Sequence, residues 1–565
     1  SQEGGAITTT SVTTEGGKLV SETKGTGTAS DPYRIENAAD FLAMQDKINL
    51  TTSADKHFVL ANDIDLSEIT AEDFASNRVY SGSLVSVSKS LGASSKKVYF
   101  VLDGNGHKIK GLNVTFTKGE NFAIFGYVNS RSTIKNLTVD KSVLNVETDA
   151  KNCAVLACEN DGTISSCEIT YSVLTMRNAA NAGMAVAVNG GTVTGVKVLG
   201  TQSNAGGATK SSHTLSGCGT VGGVVGHNSG KITKVSAINV GAFIDSSLSG
   251  KTVYGGIVGT TSGTVSNSFA SGNVTGTQAT DIVGGIAGSV SNGAAFVNDY
   301  ALVALRCAAG GNGLVGSGAS SQMLTDCYWS SAVSGRIFSV SDDVTGSGDI
   351  DSLGFKVVKV GETKTISASD LSAIWGKANV TVKGNYGKSG NGISLDAGSA
   401  SARVTGVTAN TSNKLEYTAE IELPSSVGAG SVTVSQYFNL PILVVSASTE
   451  GDGSESNPLG ITNAAEFNLL RYADGIYAKL NKDITFEAAA FAFDGYLNGN
   501  GHTVNVKAPV FTELFGTLEN VNFVAKANIS SAVLGRAIGA KVMDVTVSFA
   551  DGVKFNASGA NSGVM

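Results

Sequence analysis

The chain has 565 residues, of which 71 are glycine, 5 are proline and 15% are charged. This composition favours short strands joined by tight glycine and asparagine turns, with few helices. The formal net charge of −7 excludes the basic surface of a nucleic-acid-binding protein. The longest apolar runs are too short to span a bilayer, so we expect no transmembrane segment.

Residues 1–24 precede the first recognisable module and are interpreted as an N-terminal extension. The chain opens on Ser1 instead of Met, so we expect that an export leader, in one form a lipid-anchored one, has been removed.

A module of 17 residues occurs twice, at 25–41 and 451–467. Each copy has an asparagine followed three residues later by an acid, the spacing of a helix N-cap, and this predicts a short helix with one apolar face. Further along, Gly-Asn-Gly-His occurs at 104–107 and again at 499–502. We interpret each module as the start of a solenoid, with the helix covering the open end where strand edges would otherwise be unpaired. In the first copy the apolar face would consist of Phe41, Met44 and Ile48.

A shorter pattern, with apolar residues at positions 1, 4 and 6, recurs about every 30 residues. A unit this small cannot bury its own apolar face, so successive units must stack and pair strand on strand. We therefore predict a capped right-handed parallel β-helix over 25–334. Small cysteines would fill its columns, with disulfides as the alternative. The seven copies are Ile134/Leu137/Val139, Ile164/Cys167/Ile169, Val193/Val196/Val198, Ile232/Val235/Ala237, Val265/Ser268/Ala270, Phe296/Asp299/Ala301 and Leu324/Cys327/Trp329.

Two features of this solenoid are candidates for ligand binding. The step from Val193 to Ile232 is 39 residues and carries an insertion, and insertions in solenoids project from one face. A tolerated loop is the alternative to a binding loop. Aromatic residues in the coils could stack on sugars if exposed, whereas packing in the wall is the alternative. The candidate residues are Ser203, Asn204, Lys210, His213, Tyr254, Tyr300 and Tyr328.

The glycine-framed coils end near residue 334, and alternating strands replace them. About seven short strands over 335–447 predict an immunoglobulin-like sandwich, with Trp375 as a core anchor. From 448 to 565 the capped β-helix pattern returns and stops at Gly563-Val-Met565. Because an uncapped strand is a poor end for a solenoid, we expect this second segment to be truncated.

The motif Gly-Leu-Val-Gly at 313–316 resembles the GLUG-repeat family, which is named for Gly-Leu-large apolar-Gly. The resemblance covers roughly 120–331, and 510–565 more weakly. Residues 360–366 resemble a bacterial immunoglobulin-like domain. Such repeats accompany bacterial cell-surface proteins, including adhesins and a zinc metallopeptidase that cleaves immunoglobulin A. The resemblance therefore implies an extracellular, outer-surface protein that presents its faces to a glycan or protein ligand.

The sequence offers no obvious catalytic constellation. None of the five histidines is followed by glutamate, so the His-Glu-x-x-His zinc motif is absent from this sequence. Asp63 and Asp65 could form a carboxylate pair, but only one of them recurs in the second module. We expect a monomeric, non-catalytic protein without metal or cofactor. The alternatives are a polysaccharide lyase or glycoside hydrolase on a β-helix scaffold, and a purely structural stalk.

Overall fold

The computed structural model describes residues 14–15, 18–19, 21, 23–49, 56–75, 83–85, 99–200, 213–216, 219–245, 251–275, 280–305, 311–329, 348–349, 354–367, 381–398, 401–429 and 433–556. They belong to two compact units. The first comprises Ser1–Asp351, Lys377–Val380 and Glu422–Val434, and the second comprises Ser352–Gly376, Thr381–Ile421 and Ser435–Met565. None of the described helices has the length and apolar character that a membrane crossing requires.

The first unit is a parallel β-helix, as predicted. One of its faces is a sheet in which every strand pairs in parallel with its counterpart one coil away. Its ten strands are Tyr33–Ile35, Lys56–Leu60, Phe100–Asp103, Thr133–Lys135, Thr163–Ser165, Thr192–Thr194, Lys231–Thr233, Thr264–Ser266, Ala295–Val297 and Leu324–Thr325.

The other faces form a continuous 26-stranded sheet that bends around the coil. Its strands are Ile64–Asp65, Ser83–Val85, Lys108–Lys110, Asn113–Phe116, Asn121–Val128, Thr138–Asp140, Val143–Ala154, Ala157–Asn160, Glu168–Thr170, Val173–Gly183, Val186–Asn189, Lys197–Leu199, His213–Ser216, Thr220–Gly222, Val225–Asn228, Ser236–Ile238, Ala242–Asp245, Val253–Gly255, Val258–Thr261, Phe269–Thr275, Ile282–Gly284, Ala287–Val290, Tyr300–Leu305, Val315–Ser317, Tyr328–Trp329 and Gly348–Asp349. A separate antiparallel pair joins Thr14–Glu15 to Lys18–Leu19.

The predicted columns are confirmed residue by residue. The first position of each copy of the pattern pairs in register from Ile134 to Leu324, and the third from Val139 to Trp329. The residue directly before the second column has a left-handed backbone conformation, with φ between about 50° and 63°, and the chain turns there. Asparagine, aspartate and glycine tolerate this conformation best, which explains their recurrence there. The turn residues are Asn136, Ser166, Gly195, Lys234, Asn267, Asn298 and Asp326.

A ladder of buried amides runs along another corner of the coil. Asn160 Nδ2 donates to Asn189 Oδ1 at 2.8 Å, and Asn189 Nδ2 donates to Asn228 Oδ1 at the same distance. Asn228 Nδ2 then donates to Thr261 Oγ1 at 3.0 Å. Because these side chains are almost fully buried, each bond also removes an otherwise unsatisfied polar group from the core.

The helix Ala38–Asn49 covers the start of the solenoid, as predicted. Asn37 Oδ1 accepts a bond from the Asp40 N–H at 3.0 Å, and Asp40 Oδ2 accepts one from the Glu36 N–H at 3.0 Å. The predicted apolar face of this helix, Phe41, Met44 and Ile48, is completely buried in the solenoid core. A second, shorter helix, Ala71–Ala75, and a 3₁₀ turn, Ser321–Met323, complete the helical elements described in this unit.

Of the six cysteines, Cys153, Cys158, Cys167 and Cys327 are buried thiols. Cys167 and Cys327 fill the second column, as expected, and each thiol donates to the carbonyl two residues earlier at 3.3 Å. Cys218 and Cys307 lie outside the described residues.

Asp299 stands in the same column and is completely buried. Its Oδ1 accepts a bond from the Ser268 N–H at 2.9 Å, whereas Oδ2 has no hydrogen-bond partner among the described residues. Burial raises the pKa of the Asp299 carboxyl well above its ordinary value, because the charged form has been removed from water. Ser268, one coil earlier, fills the same position with a hydroxyl that donates to the Ser266 carbonyl at 2.9 Å.

In the second unit, two sheets flank a small core. One is four-stranded, in the order Lys356–Lys359, Thr433–Val445, Thr411–Glu422 and Thr381–Ser389, and the other is three-stranded, in the order Thr363–Ser367, Ser401–Gly406 and Ile393–Ala397. Seven strands in two sheets agree with the predicted sandwich; Trp375 lies outside the described residues.

The strand Thr433–Val445 contributes side chains to two hydrophobic cores. Ile442 and Val444 are buried in the sandwich, whereas Leu443 and Val445 are buried with the solenoid that follows.

That solenoid has three parallel sheets. Their strands are Leu459–Ile461, Ile476–Leu480, Gly495–Asn498, Thr517–Glu519 and Lys541–Met543; Ile484–Phe486, Thr503–Val506, Asn522–Ala525 and Thr546–Phe549; and Phe491–Phe493, Phe511–Leu514 and Arg536–Ala537. The helix Ala464–Asn468 and the 3₁₀ turn Leu469–Tyr472 follow its first strand, Leu459–Ile461, and Asn463 Oδ1 accepts the Glu466 N–H at 2.9 Å, as predicted from the repeat. The expected terminal strand at 563–565 lies outside the described residues.

We predict that Asn189→Ala lowers the free energy of unfolding of the first unit by about 2–4 kcal/mol, because it removes two buried bonds of the ladder, one from Asn160 and one to Asn228. Urea denaturation would measure the loss. Asn189→Thr is the matched control, since Thr261 occupies the same ladder position, and it should cost clearly less. Equal losses in the two variants would contradict a role for the ladder.

We predict that Asp299→Ser stabilises the protein at pH 7 more than at pH 4. The buried carboxyl stays protonated at pH values above about 4, where the carboxyl of the unfolded chain has already ionised. The free energy of unfolding of the wild type therefore falls as the pH rises from about 4 toward the raised pKa of the native state. Serine, as at Ser268, carries no such penalty. Denaturation midpoints at several pH values would show the difference widening with pH. Glu168→Gln, which removes an exposed acid, should leave the pH dependence nearly unchanged.

Candidate ligand-binding site

The structure separates the residues that the sequence predicted for ligand binding. Tyr254 is inward-facing, in register with Val221 and Val283, and only 1% of it is exposed. Tyr300 is 2% exposed. The expectation that these two rings offer an open face to a sugar is therefore wrong, and the alternative of wall packing is correct for them.

The buried state of Tyr300 has a physical explanation in the same unit. Tyr300 lies on the outer column that also contains Ser236 and Phe269. The segment Glu422–Val434 contacts this face, where the Ala429 N–H donates to Ser236 Oγ at 3.1 Å and the Gly428 N–H donates to the Asn267 carbonyl at 2.8 Å. The protein itself thus occupies a surface that a single coil would present to solvent.

Tyr328 is half-buried and lies beside Tyr300, with ring centroids 5.3 Å apart. His213 begins the strand His213–Ser216, which pairs in register with Leu174 and Ala242, so its backbone belongs to the sheet and not to a loop. Ser203, Asn204 and Lys210 lie outside the described residues. The predicted residues therefore do not form one site in the described part of the chain.

The repeated histidines bond to carboxylates and not to the backbone. His107 Nδ1 lies 3.3 Å from Asp63 Oδ1, and His502 Nδ1 lies 3.1 Å from Asp483 Oδ1. In each pair the same carboxylate oxygen also accepts the N–H of the residue after the histidine. Hydrogen bonds from the Thr503 N–H and from His502 lower the pKa of Asp483. Within the described residues, no cluster of three or more His, Cys, Asp or Glu side chains is placed to hold a metal ion.

The most site-like feature is a groove on the outside of the second solenoid, which we call the tyrosine groove. It has a volume of about 340 Å³, near the lower end of the range for small-molecule sites. Its lining combines aromatic rings, glycine backbone and two charged groups: Gly475, Tyr477, Asp494, Gly495, Tyr496, Phe515, Gly516, Thr517, Gly539 and Lys541.

One column of outward-facing residues runs along this groove. Tyr477, Tyr496, Thr517 and Lys541 are partners in consecutive coils of one parallel sheet. The two tyrosine rings lie with their centroids 5.3 Å apart and their planes at 31°. Both are half-buried, as is Phe515 beside them, whereas Lys541 is exposed. The column therefore changes from aromatic to small to cationic along the solenoid axis.

Glycines provide the floor of the tyrosine groove. A Cβ on Gly516 would lie 2.1 Å from the Gly495 carbonyl oxygen, and one on Gly495 would lie 2.5 Å from the Ile476 carbonyl oxygen. The coils approach so closely here that no side chain fits, and main chain is exposed between the flanking rings.

Hydrogen bonds hold one of the rings in place. The Tyr496 hydroxyl donates to Glu519 Oε2, and Asn498 Nδ2 lies 3.4 Å from the same oxygen. On the neighbouring strand, Lys479 Nζ lies 3.6 Å from Glu450. The orientation of Tyr496 is thus fixed before any ligand arrives, which reduces the entropy lost on binding.

The tyrosine groove was not predicted from the sequence, although a pattern that marks it is present there. Each of its coils has a glycine one or two residues before the outward position: Gly475 before Tyr477, Gly495 before Tyr496, Gly516 before Thr517 and Gly539 before Lys541. This pattern is weaker than the apolar periodicity of the inward columns, which dominates the sequence of the repeated module.

No family model matches the chain. A stretch of 147 residues, 26% of the chain, is 26% identical to halomucin from Haloquadratum walsbyi (strain DSM 16790 / HBSQ001), and the match spans 2% of that protein's length. Among solved structures, a candidate immunoglobulin A1 protease from Bacteroides ovatus superposes with a TM-score of 0.34 at 18% identity, covering 58% of this chain and 87% of that one. Another, an IgA1 protease, gives a TM-score of 0.33 at 15% identity, with 52% and 21% coverage. At these TM-scores the likenesses carry no inference about activity.

We predict that Gly516→Ala destabilises the second unit by roughly 2–4 kcal/mol, because the added methyl overlaps backbone that cannot move without separating two coils. Gly539→Ala is the control. Its Cβ would meet open space, so the cost is only that of a left-handed backbone, about 1–2 kcal/mol. Thermal unfolding of both variants would test this, and a Gly516→Ala variant as stable as Gly539→Ala would contradict it.

Proposed function

We propose that this chain is a non-catalytic recognition protein that binds a saccharide through the tyrosine groove. The observation that carries the proposal is the pair of half-buried, outward-facing rings, Tyr477 and Tyr496, beside charged and glycine-backbone groups. Aromatic rings bury the apolar C–H face of a sugar, while carboxylates, amides and backbone groups bond to its hydroxyls.

In this proposal the β-helices serve as a display scaffold. We infer an extracellular location on the bacterial outer surface and a monomeric state. GLUG-type kinship and an adhesive role belong to the same proposal. They are supported by the sequence resemblance and by the stacked coils, which suit projection of a binding face better than enclosure of a substrate.

Two alternatives differ from this proposal in a measurable way. A lyase or hydrolase would need a free carboxylate or base at the groove. Glu519 is engaged by Tyr496 and Asn498, so Asp494 and Lys541 are the groove residues that would have to serve such a reaction. A purely structural stalk would bind no saccharide at all.

We predict that the full chain binds oligosaccharides on a glycan array and that Tyr496→Ala weakens this binding at least about tenfold by calorimetry, as expected when a central aromatic contact is lost. Tyr472→Ala removes an exposed ring elsewhere in the same unit and is the matched control. Absence of array binding would favour the stalk. Release of new reducing ends or unsaturated products from a bound polysaccharide would overturn the non-catalytic assignment.

A further inference from the structure

The outward column of the tyrosine groove contains a gap one ring thick. Successive coils are about 4.8 Å apart, and the first two positions are filled by rings. At the third position the side chain is only Thr517, next to the side-chain-free Gly516. Lys541 resumes the column one coil later. On the side away from Tyr477, the ring of Tyr496 is therefore followed in the column by the short side chain of Thr517 and then by Lys541.

The dimensions of this gap are set by the coil spacing. Tyr496 and Lys541 are two coils apart, which corresponds to about 9.6 Å of backbone separation. A ring placed in the column at the level of Thr517 would lie about one coil spacing from each of them, as the rings of Tyr477 and Tyr496 do, with centroids 5.3 Å apart. The gap thus continues the ring stack with one place empty.

The charges at the two ends of the gap differ. Lys541 is exposed and forms no ion pair with any described residue, in contrast to Lys479, which pairs with Glu450. Asp494 lies in the same coil as Tyr496, two coils from Lys541. A ligand in the gap would therefore meet an unpaired cation on one side and a hydrogen-bond acceptor for hydroxyl groups on the other.

We propose that the gap above Thr517 binds a single acidic sugar ring of a larger glycan, a uronic acid, with its apolar face on Tyr496 and its carboxylate toward Lys541. This deepens and rests on the saccharide-binding function proposed above. The aromatic ring provides a surface for any pyranose, whereas the lysine provides the preference for an anionic one.

Filling the gap is the direct test. Thr517→Tyr extends the ring column, and Thr517→Ile adds bulk while keeping a β-branched residue suited to a strand. Binding of the full chain to oligogalacturonate would be measured by calorimetry, with circular dichroism to verify folding. We expect at least about a tenfold loss for both variants, and little change for Thr517→Ser, which leaves the gap open. Wild-type affinity in either folded filling variant would overturn the proposal.

The charge preference is tested separately. Lys541→Gln should weaken oligogalacturonate binding by roughly tenfold, the usual contribution of one charge-assisted bond, and should leave a neutral galactan oligosaccharide unaffected. Lys526→Gln, at an exposed lysine outside the groove, is the control. Equal loss for both sugars, or no loss for either, would overturn the acidic preference. If filling the gap has no effect while Tyr496→Ala still abolishes binding, this proposal fails and saccharide binding by the groove stands.

Discussion

Pairing of each strand with its own equivalent one coil away is the constraint on which the structure depends. Because the partners are equivalent, each side chain lies above a residue with the same role, and polar groups in the core must satisfy one another. The ladder Asn160–Asn189–Asn228 meets this demand: each amide donates to the next coil, and Asn189 and Asn228 also accept from the previous one. Asp299 fits less well, because its second oxygen meets no donor in the part of the chain that the structure describes. The same repetition that stabilises matched side chains therefore makes a mismatched one costly.

The inward half of this architecture could be predicted from the sequence. Apolar periodicity predicted the first column from Ile134 to Leu324, because its residue is apolar and buried in every one of these coils. The cap helices could be predicted for a similarly local reason, since Asn37 and Asn463 each bond to the N–H three residues on. The left-handed corner explains a further regularity of the pattern, the asparagine or aspartate that follows the first column.

The outward half was harder to predict, and the reason is physical. An outward side chain is not restricted by the column, so its exposure depends on what else the chain places over it. Tyr300 and Phe269 lie on an outer column yet are buried, on a face that a segment more than a hundred residues away contacts. No local pattern contains that information. The tyrosine groove was missed for the converse reason: its rings belong to coils whose sequence signal is dominated by the inward residues.

The alternation of side chains in the strand Thr433–Val445 couples the unfolding of the sandwich to that of the second solenoid, and it limits where the second unit can be cut into fragments. Ile442 and Val444 are buried in the sandwich, while Leu443 and Val445 are buried in the solenoid. One strand thus contributes to two hydrophobic cores, so its unfolding from either core exposes apolar side chains of the other. A fragment starting at residue 448, where the sequence pattern changes, would lack part of its own interior. The cooperative folding block extends across that boundary.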